Sequence, residues 1–302
     1  VEQWGAESLG QPVRIGKLEA SWSGLRPQLV LKDFALISRE SKDPVLQLAE
    51  ARVTLAPVDS LLSGAVQSYE LTLTGVKLLI KRRSDGSVVS DGLEGVGSGE
   101  GNASALFLIP NRINVEQSEI HWQNLAIGAA PVKLGNVNAK LRNAGRRHQL
   151  NLSFDPPGAQ GSQVTLAADI TGELDQPKGW SGEFYLRGQR LMLTELLKPR
   201  IPEGYQLRNG QAEIELWSGW EEGKMRWLEG KSHWSDLHLV QLTAAEDSAN
   251  RRLEIDHLGG YFRWRYQTDG WDLMVEDIRF ERLGLSWPAT SFGLITRFDS
   301  QG

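Results

Sequence analysis

The stretch LVLKDFALI, Leu29 to Ile37, alternates like a strand and then loses step. Leu29 and Leu31 would share one face of a pleated strand, but Phe34 and Leu36 are one position out of phase and would fall on the other. Either the segment is no strand, or something at Lys32-Asp33 resets its frame. The same defect recurs about ten times along the chain. Ile15 precedes Leu18 and Ala20; Leu46 and Leu48 precede Ala51 and Val53; Leu71 and Leu73 precede Val76 and Leu78. Ile113 and Val115 precede Ile120 and Trp122, and Leu134 precedes Val137 and Ala139. Later copies run through Leu207 and Ala212, Trp234 and Leu237, Ile255 and Leu258, and Val275 and Ile278.

Each step contains Gly, Asn, Asp or Glu, as in Gly16-Lys17, Thr74-Gly75, Glu116-Gln117, Gly135-Asn136, Ser235-Asp236 and Glu276-Asp277. Such residues tolerate the backbone of a β-bulge, in which two residues oppose one and the next apolar side chain returns to the original face. The spacing therefore predicts strands of about 11 residues, roughly 35 Å long at about 3.3 Å per residue, twice the usual length. Bulges aligned across such a sheet would coil it into a trough. Leu29 and Leu36 alone would also suit a helix, being seven apart. The i, i+2 pairs, β-branched residues, interior glycines and missing caps favour strands.

The expected fold is mainly β: a long, bulged, strongly curved antiparallel sheet with an open apolar groove and short helical caps. Asp-Gly hairpin signals stand at 84–87 and 268–271, and short helical turns are expected at 57–64 and 194–199. Residues 1–11 read as the end of a capping helix, 12–92 as a first groove section, 93–105 as a Gly/Ser-rich loop and 106–302 as the continuing groove. The segment before Gln11 and the turn at Leu61 and Leu62 are expected to cap one end together.

Composition narrows the function. Net charge is −5, and the basic pairs at Arg82-Arg83, Arg146-Arg147 and Arg251-Arg252 are scattered, unlike a nucleic-acid-binding face. Without cysteine there is no disulfide, thiolate zinc site or thiol nucleophile. The five histidines form no HExxH motif or close pair, GWEEGK at 219–224 is one residue short of a P-loop, and Glu221 and Glu222 are adjacent and would face opposite ways on a strand. No cofactor, metal or catalytic residue is expected. Eleven tryptophans, seven of them from Trp217 onward, suit core packing, a groove rim or sugar-stacking platforms.

No expected helix is long enough to cover the apolar face, so it closes as a sandwich or stays open around an apolar ligand. Strand length favours the open form, with acyl chains against Ile15, Leu18, Leu29, Leu31, Phe34, Leu36, Leu46, Leu48 and Val53. The wall continues through Leu71, Leu73, Val76, Leu78, Ile113, Val115, Ile120, Trp122, Leu134 and Val137. A closed scaffold or carbohydrate-binding module is the competing class.

The blocks LGQPVRIGKLEASWSGLRPQLVLKDFALI, PVLQLAEARVTLAPVDSLLSG, NRINVEQSEIHWQN and DGWDLMVEDIRFERLGLSWP, in that order, resemble the YhdP branch of the AsmA-like envelope proteins. The resemblance covers nearly the whole chain. It implies a bridge-like lipid transfer protein of repeating β-groove units, in the periplasm and held to the inner membrane by an N-terminal transmembrane helix. Its implied partner is phospholipid, carried without catalysis.

Overall fold

The computed structural model describes residues 12–37, 44–58, 61, 68–84, 88–90, 111–128, 131–158, 162–173, 176–197, 201–202, 204–241 and 252–298. The protein is mainly β, in two units, Val1–Pro157 and Gly158–Gly302. The expected end of a helix at 1–11 and the loop at 93–105 lie outside the described residues.

The first unit holds β1 (Val13–Ser23), β2 (Arg26–Ile37), β3 (Pro44–Leu55), β4 (Ser68–Thr74), β5 (Lys77–Arg82), β6 (Val88–Ser90), β7 (Arg112–Asn124), β8 (Val132–Ala144) and β9 (Arg147–Asp155). Their hydrogen-bonded order is β1-β2-β3-β4-β7-β8-β9, with β5 between β3 and β7 and β6 on β5. Pairing is antiparallel except that β4 and β5 both run parallel to β7. β4 and β5 are one strand interrupted at Gly75: both hold the same offset to β7, as in Leu73↔Val115 and Leu78↔Ile120.

The second unit holds β10 (Gln163–Thr171), β11 (Ser181–Met192), β12 (Tyr205–Glu221), β13 (Lys224–Gln241), β14 (Arg252–Gln267), β15 (Gly270–Arg282) and β16 (Leu285–Arg297), paired in chain order. All of these pairs are antiparallel. β12, β13 and β14 reach 17, 18 and 16 residues, longer than the spacing predicts. One short helix, α1 (Leu193–Leu197), opens a residue before the expected Thr194, and its Leu193 is 2% exposed.

The frame steps are real, and most have a common backbone signature. Six non-glycine residues inside the described strands have left-handed φ values: Asp33 at 52°, Gln117 at 49°, Asn136 at 47°, Arg190 at 49°, Asp236 at 54° and Asp277 at 54°. Five of them are the second residue of a step seen in the sequence; Arg190 is the sixth. Gly75, at φ 67°, does the same between β4 and β5. For an L-residue this conformation costs about 1–2 kcal/mol, so the fold must supply it from the contacts that the corrected frame creates.

The expected two-against-one bulge is only half the account. In β1, β2 and β3 the step is register-neutral: Ile15↔Phe34 and Lys17↔Lys32 leave Gly16 opposite Asp33, and Lys32↔Glu50 and Phe34↔Leu48 leave Asp33 opposite Ala49. All three strands turn at one row, so none gains a residue. A Cβ on Gly16 would lie 2.9 Å from that of Asp33, which explains the glycine. Genuine bulges begin at β7, where Glu116 and Gln117 oppose one residue of β8, and β8 returns the extra residue two positions on. Similar steps occur at Gln189-Arg190 on β11 and Asp277-Ile278 on β15.

A left-handed residue pulls its backbone groups off the ladder, and a polar side chain next to it makes good the loss. The Gln117 N–H donates to Asn138 Oδ1 at 3.1 Å, and Asn138 Nδ2 donates to the Asn136 carbonyl at 2.7 Å. The Asp277 N–H donates to Ser291 Oγ at 3.1 Å, and Ser162 Oγ donates to the Arg190 carbonyl. Beside Gly75, Ser118 Oγ accepts from the Val76 N–H at 3.0 Å and donates to the Glu116 carbonyl at 2.9 Å.

Of three local expectations, one changes. Chain entry and the 57–64 turn are at opposite ends of the strands: the Ile37 N–H donates to the Pro12 carbonyl, whereas Leu61 follows the far end of β3. The segment before Gln11, expected to cap with that turn, lies outside the described residues. Pro57, Val58 and Leu61 are helical, and the rest of that turn lies outside the described residues. In the hairpin at 268–271, Gly270 supplies no positive φ; it pairs with Gln267, and its Cβ position would lie 1.9 Å from the Thr296 carbonyl oxygen.

Ser118 is 2% exposed, so Ser118→Ala strands the Val76 N–H and is expected to lower stability by about 1–3 kcal/mol. Gln117→Gly relieves the left-handed cost and is expected to raise stability by up to about 1 kcal/mol after the entropy of glycine is subtracted. Urea midpoints followed by tryptophan fluorescence measure both.

Candidate functional site

The register assembles apolar side chains into rows that cross the strands. In the first unit Leu29↔Val53↔Leu71↔Ile113↔Leu141↔Leu150 forms one row, and Leu31↔Ala51↔Leu73↔Val115↔Ala139↔Leu152 the next. Beyond the step, Leu36↔Leu46↔Leu78↔Ile120↔Leu134 forms another. β1 adds Ala20, Leu18 and Ile15 opposite Leu29, Leu31 and Phe34. In the second unit Leu166↔Leu186↔Leu216↔Gly230↔Phe262↔Val275↔Phe292 is the corresponding row.

Packing in the second unit shows directly that the step restores the face. Trp234 and Leu237 stand on either side of left-handed Asp236, yet both pack against the buried trio Leu191, Leu193 and Ala212. Leu207 joins the same cluster from the other side of the irregularity at Asn209.

Every residue expected on the apolar wall falls in these rows or continues them. Leu36 (1% exposed), Leu48, Val76, Ile113 and Val137 are buried, and Leu18 (45%) and Leu29 (40%) are exposed. Ile15, Leu31, Phe34, Leu46, Val53, Leu71, Leu73, Leu78, Ile120, Trp122 and Leu134 are half-buried. Among the described residues of each unit, extensive contacts between elements join hydrogen-bonded neighbours, with α1 against β11 and β12 and a short turn against β5 as exceptions. Among the described residues, no second sheet covers the rows within either unit. Ser118, in line with Val137, is a polar member that the hydrophobic pattern could not reveal.

The opposite face is charged and cross-linked. Glu19 pairs with Lys17 and with Lys32 at 3.0 Å; Glu119 contacts Lys133 and His121, each at 2.6 Å. Glu229 accepts the Tyr261 hydroxyl at 2.7 Å and an Arg265 N–H at 3.4 Å. The lysines hold the Glu19 carboxyl below its ordinary range, Lys133 and then His121 do so for Glu119, and the Tyr261 hydroxyl leads for Glu229. Arg297 does the same for Asp272.

The tryptophans divide between faces. Trp234, Trp264, Trp271 and Trp287 are in phase with the apolar rows, as is Trp220, whose ring lies 5.9 Å from Phe184. Trp217 and Trp227 are in phase with the charged face. The five histidines assemble no metal site: among the described residues no three His, Cys, Asp or Glu side chains converge. His148, 6% exposed, instead has its Nδ1 2.8 Å from Asn143 Oδ1. The GWEEGK segment is a tight hairpin turn, with Glu222 and Gly223 at φ 49° and 70°. No described helix is long and apolar enough to cross a membrane.

These features define a class: all-β proteins built from kinked strands whose apolar side chains are kept on one face and left without a second layer. The chain belongs to the YhdP family, whose model, described as YhdP protein, matches residues 1–302. No curated protein and no solved structure matches it.

Because Glu19, Glu119, Glu229 and Asp272 have lowered folded-state pKa values, their pairs contribute stability above the unfolded carboxylate range. That contribution is lost as pH falls through the depressed values. Thermal melts are expected to be level near pH 6 and to fall once pH drops below about 4, with a smaller decrease in Glu229→Gln.

Proposed function

We propose that the apolar face binds phospholipid acyl chains and conducts them along the sheet without catalysis, as one segment of lipid transport between inner and outer membranes. The observation that carries this reading is the continuity of the apolar rows within each unit together with the lack, among the described residues, of a covering layer. Neighbouring strands are about 4.8 Å apart, so a chain lying along a row meets a new apolar side chain at each strand. Each methylene removed from water contributes about 0.8 kcal/mol, enough over two acyl chains to offset the exposure of the wall. Headgroups stay at the strand ends, in water. Membership of an envelope family supports a periplasmic setting.

Movement needs no chemistry in this segment. The rows stay apolar from strand to strand, so a lipid displaced by one strand still finds an apolar environment. Leu73 and Val115 are partners in one row and half-buried, which makes that row the point to interrupt.

Purified protein extracted with organic solvent is expected to yield phospholipid by mass spectrometry. Leu73→Asp and Val115→Asp should each reduce it at least tenfold with the far-ultraviolet circular dichroism spectrum retained. Undiminished lipid in both folded variants would refute the reading.

A further inference from the structure

The second unit's charged face carries rings that its ion pairs do not require. Tyr185↔Trp217↔Glu229↔Arg263 are paired in register, as are Arg187↔Glu215↔Lys231↔Tyr261 in the next row. These side chains therefore share the face opposite Leu216 and Phe262. The Tyr185 and Trp217 rings are 5.5 Å apart, and Lys231 Nζ stands 5.7 Å from the Trp217 ring centre. Two more rows continue this face, Glu213↔His233↔Gly259↔Arg279 and Ser235↔His257↔Glu281↔Ser286.

A depression of about 650 Å³ opens among the last rows. Gly259 and Gly260 leave its floor without side chains, and the extra residue of β15 at Asp277-Ile278 stands opposite Gly260. Exposed His233 and His257 stack at 5.4 Å on one wall. Asp277, held by Arg279 at 3.0 Å, forms another part of the lining with Glu281.

The lining selects a ligand by chemistry. A phosphate or other anion would meet the carboxylates of Asp277 and Glu281. A metal ion would meet Lys231 and Arg279, and no three ligating side chains converge among the described residues. Donors and acceptors are instead interspersed beside aromatic faces. Sugars match this: hydroxyl and acetamido groups both donate and accept, and the C–H face of a pyranose ring lies flat on an aromatic ring.

We propose that this face binds an amino-sugar glycan, with one ring seated in the depression and the strand passing over Trp217 and Tyr185. From β11 to β15 the path crosses four strand spacings, about 19 Å, long enough for several sugar rings. Phe280 and Trp287, in phase with the apolar rows, also line the depression; the paired rows through Trp217, Lys231, His233 and His257 face away from those rows, and the proposal does not depend on the lipid reading.

Co-sedimentation of the 302-residue chain with purified peptidoglycan sacculi and with chitin tests the proposal. Binding to at least one polymer is expected, with competition by soluble N-acetylglucosamine oligomers. Trp217→Ala should weaken it at least fivefold; His257→Ala and Lys231→Ala, at exposed positions, should weaken it without a stability change. Leu73→Asp, in the other unit, should leave it intact even where lipid is lost. Failure to sediment with either polymer, binding that all three variants retain, or adhesion that salt abolishes and oligomers do not compete would each overturn the proposal.

Discussion

Side-chain alternation along a strand has a period of two, and a strand twice the usual length must keep that phase from end to end if one face is to stay apolar. This chain keeps phase by breaking it within many of its strands. A left-handed residue, or a partner turning beside one, shifts the frame, and the apolar sequence on either side is written to match. Asp236 shows the dependence: without its turn, Trp234 and Leu237 could not meet the same buried trio. Backbone strain and hydrophobic burial are thus coupled, since the first makes the second possible.

The coupling accounts for the polar residues that accompany the kinks. Asn138, Ser162 and Ser291 contribute little hydrophobic stabilisation, yet each engages a backbone group that the ladder has released. Ser118 does so while buried in line with the apolar rows, where an unmet N–H would be costly. The sheet therefore needs two codes at once, an apolar one for the wall and a hydrogen-bonding one for the row where the wall bends.

Much of this was legible in the sequence because the apolar code is redundant. Leu29, Leu31, Phe34 and Leu36 are ambiguous alone, but repetition with Asp, Asn, Gln or Gly at the step fixes the reading. Arg190 escaped notice because Gly188 replaces the large residue that would have marked the step. Register-neutral turning at Gly16, Asp33 and Ala49 could not be read either, since a pattern within one strand says nothing about how many residues its neighbour spends. The same limit hid the parallel pairing of β4 with β7 and the separation of the tryptophans between faces, both of which are cross-strand properties. A pocket floored by Gly259 and Gly260 is likewise invisible until β15 is laid beside them.

Compensated steps also constrain how such a chain changes over generations. Where β7 gains a residue against β8, β8 gains one back two positions later, so the ladder ends in the register in which it began. A single codon inserted mid-strand would invert every side chain beyond it. Viable length changes are therefore confined to hairpin turns or arrive as matched insertions in adjacent strands, which makes the hairpin, not the residue, the increment by which a lineage can lengthen this architecture.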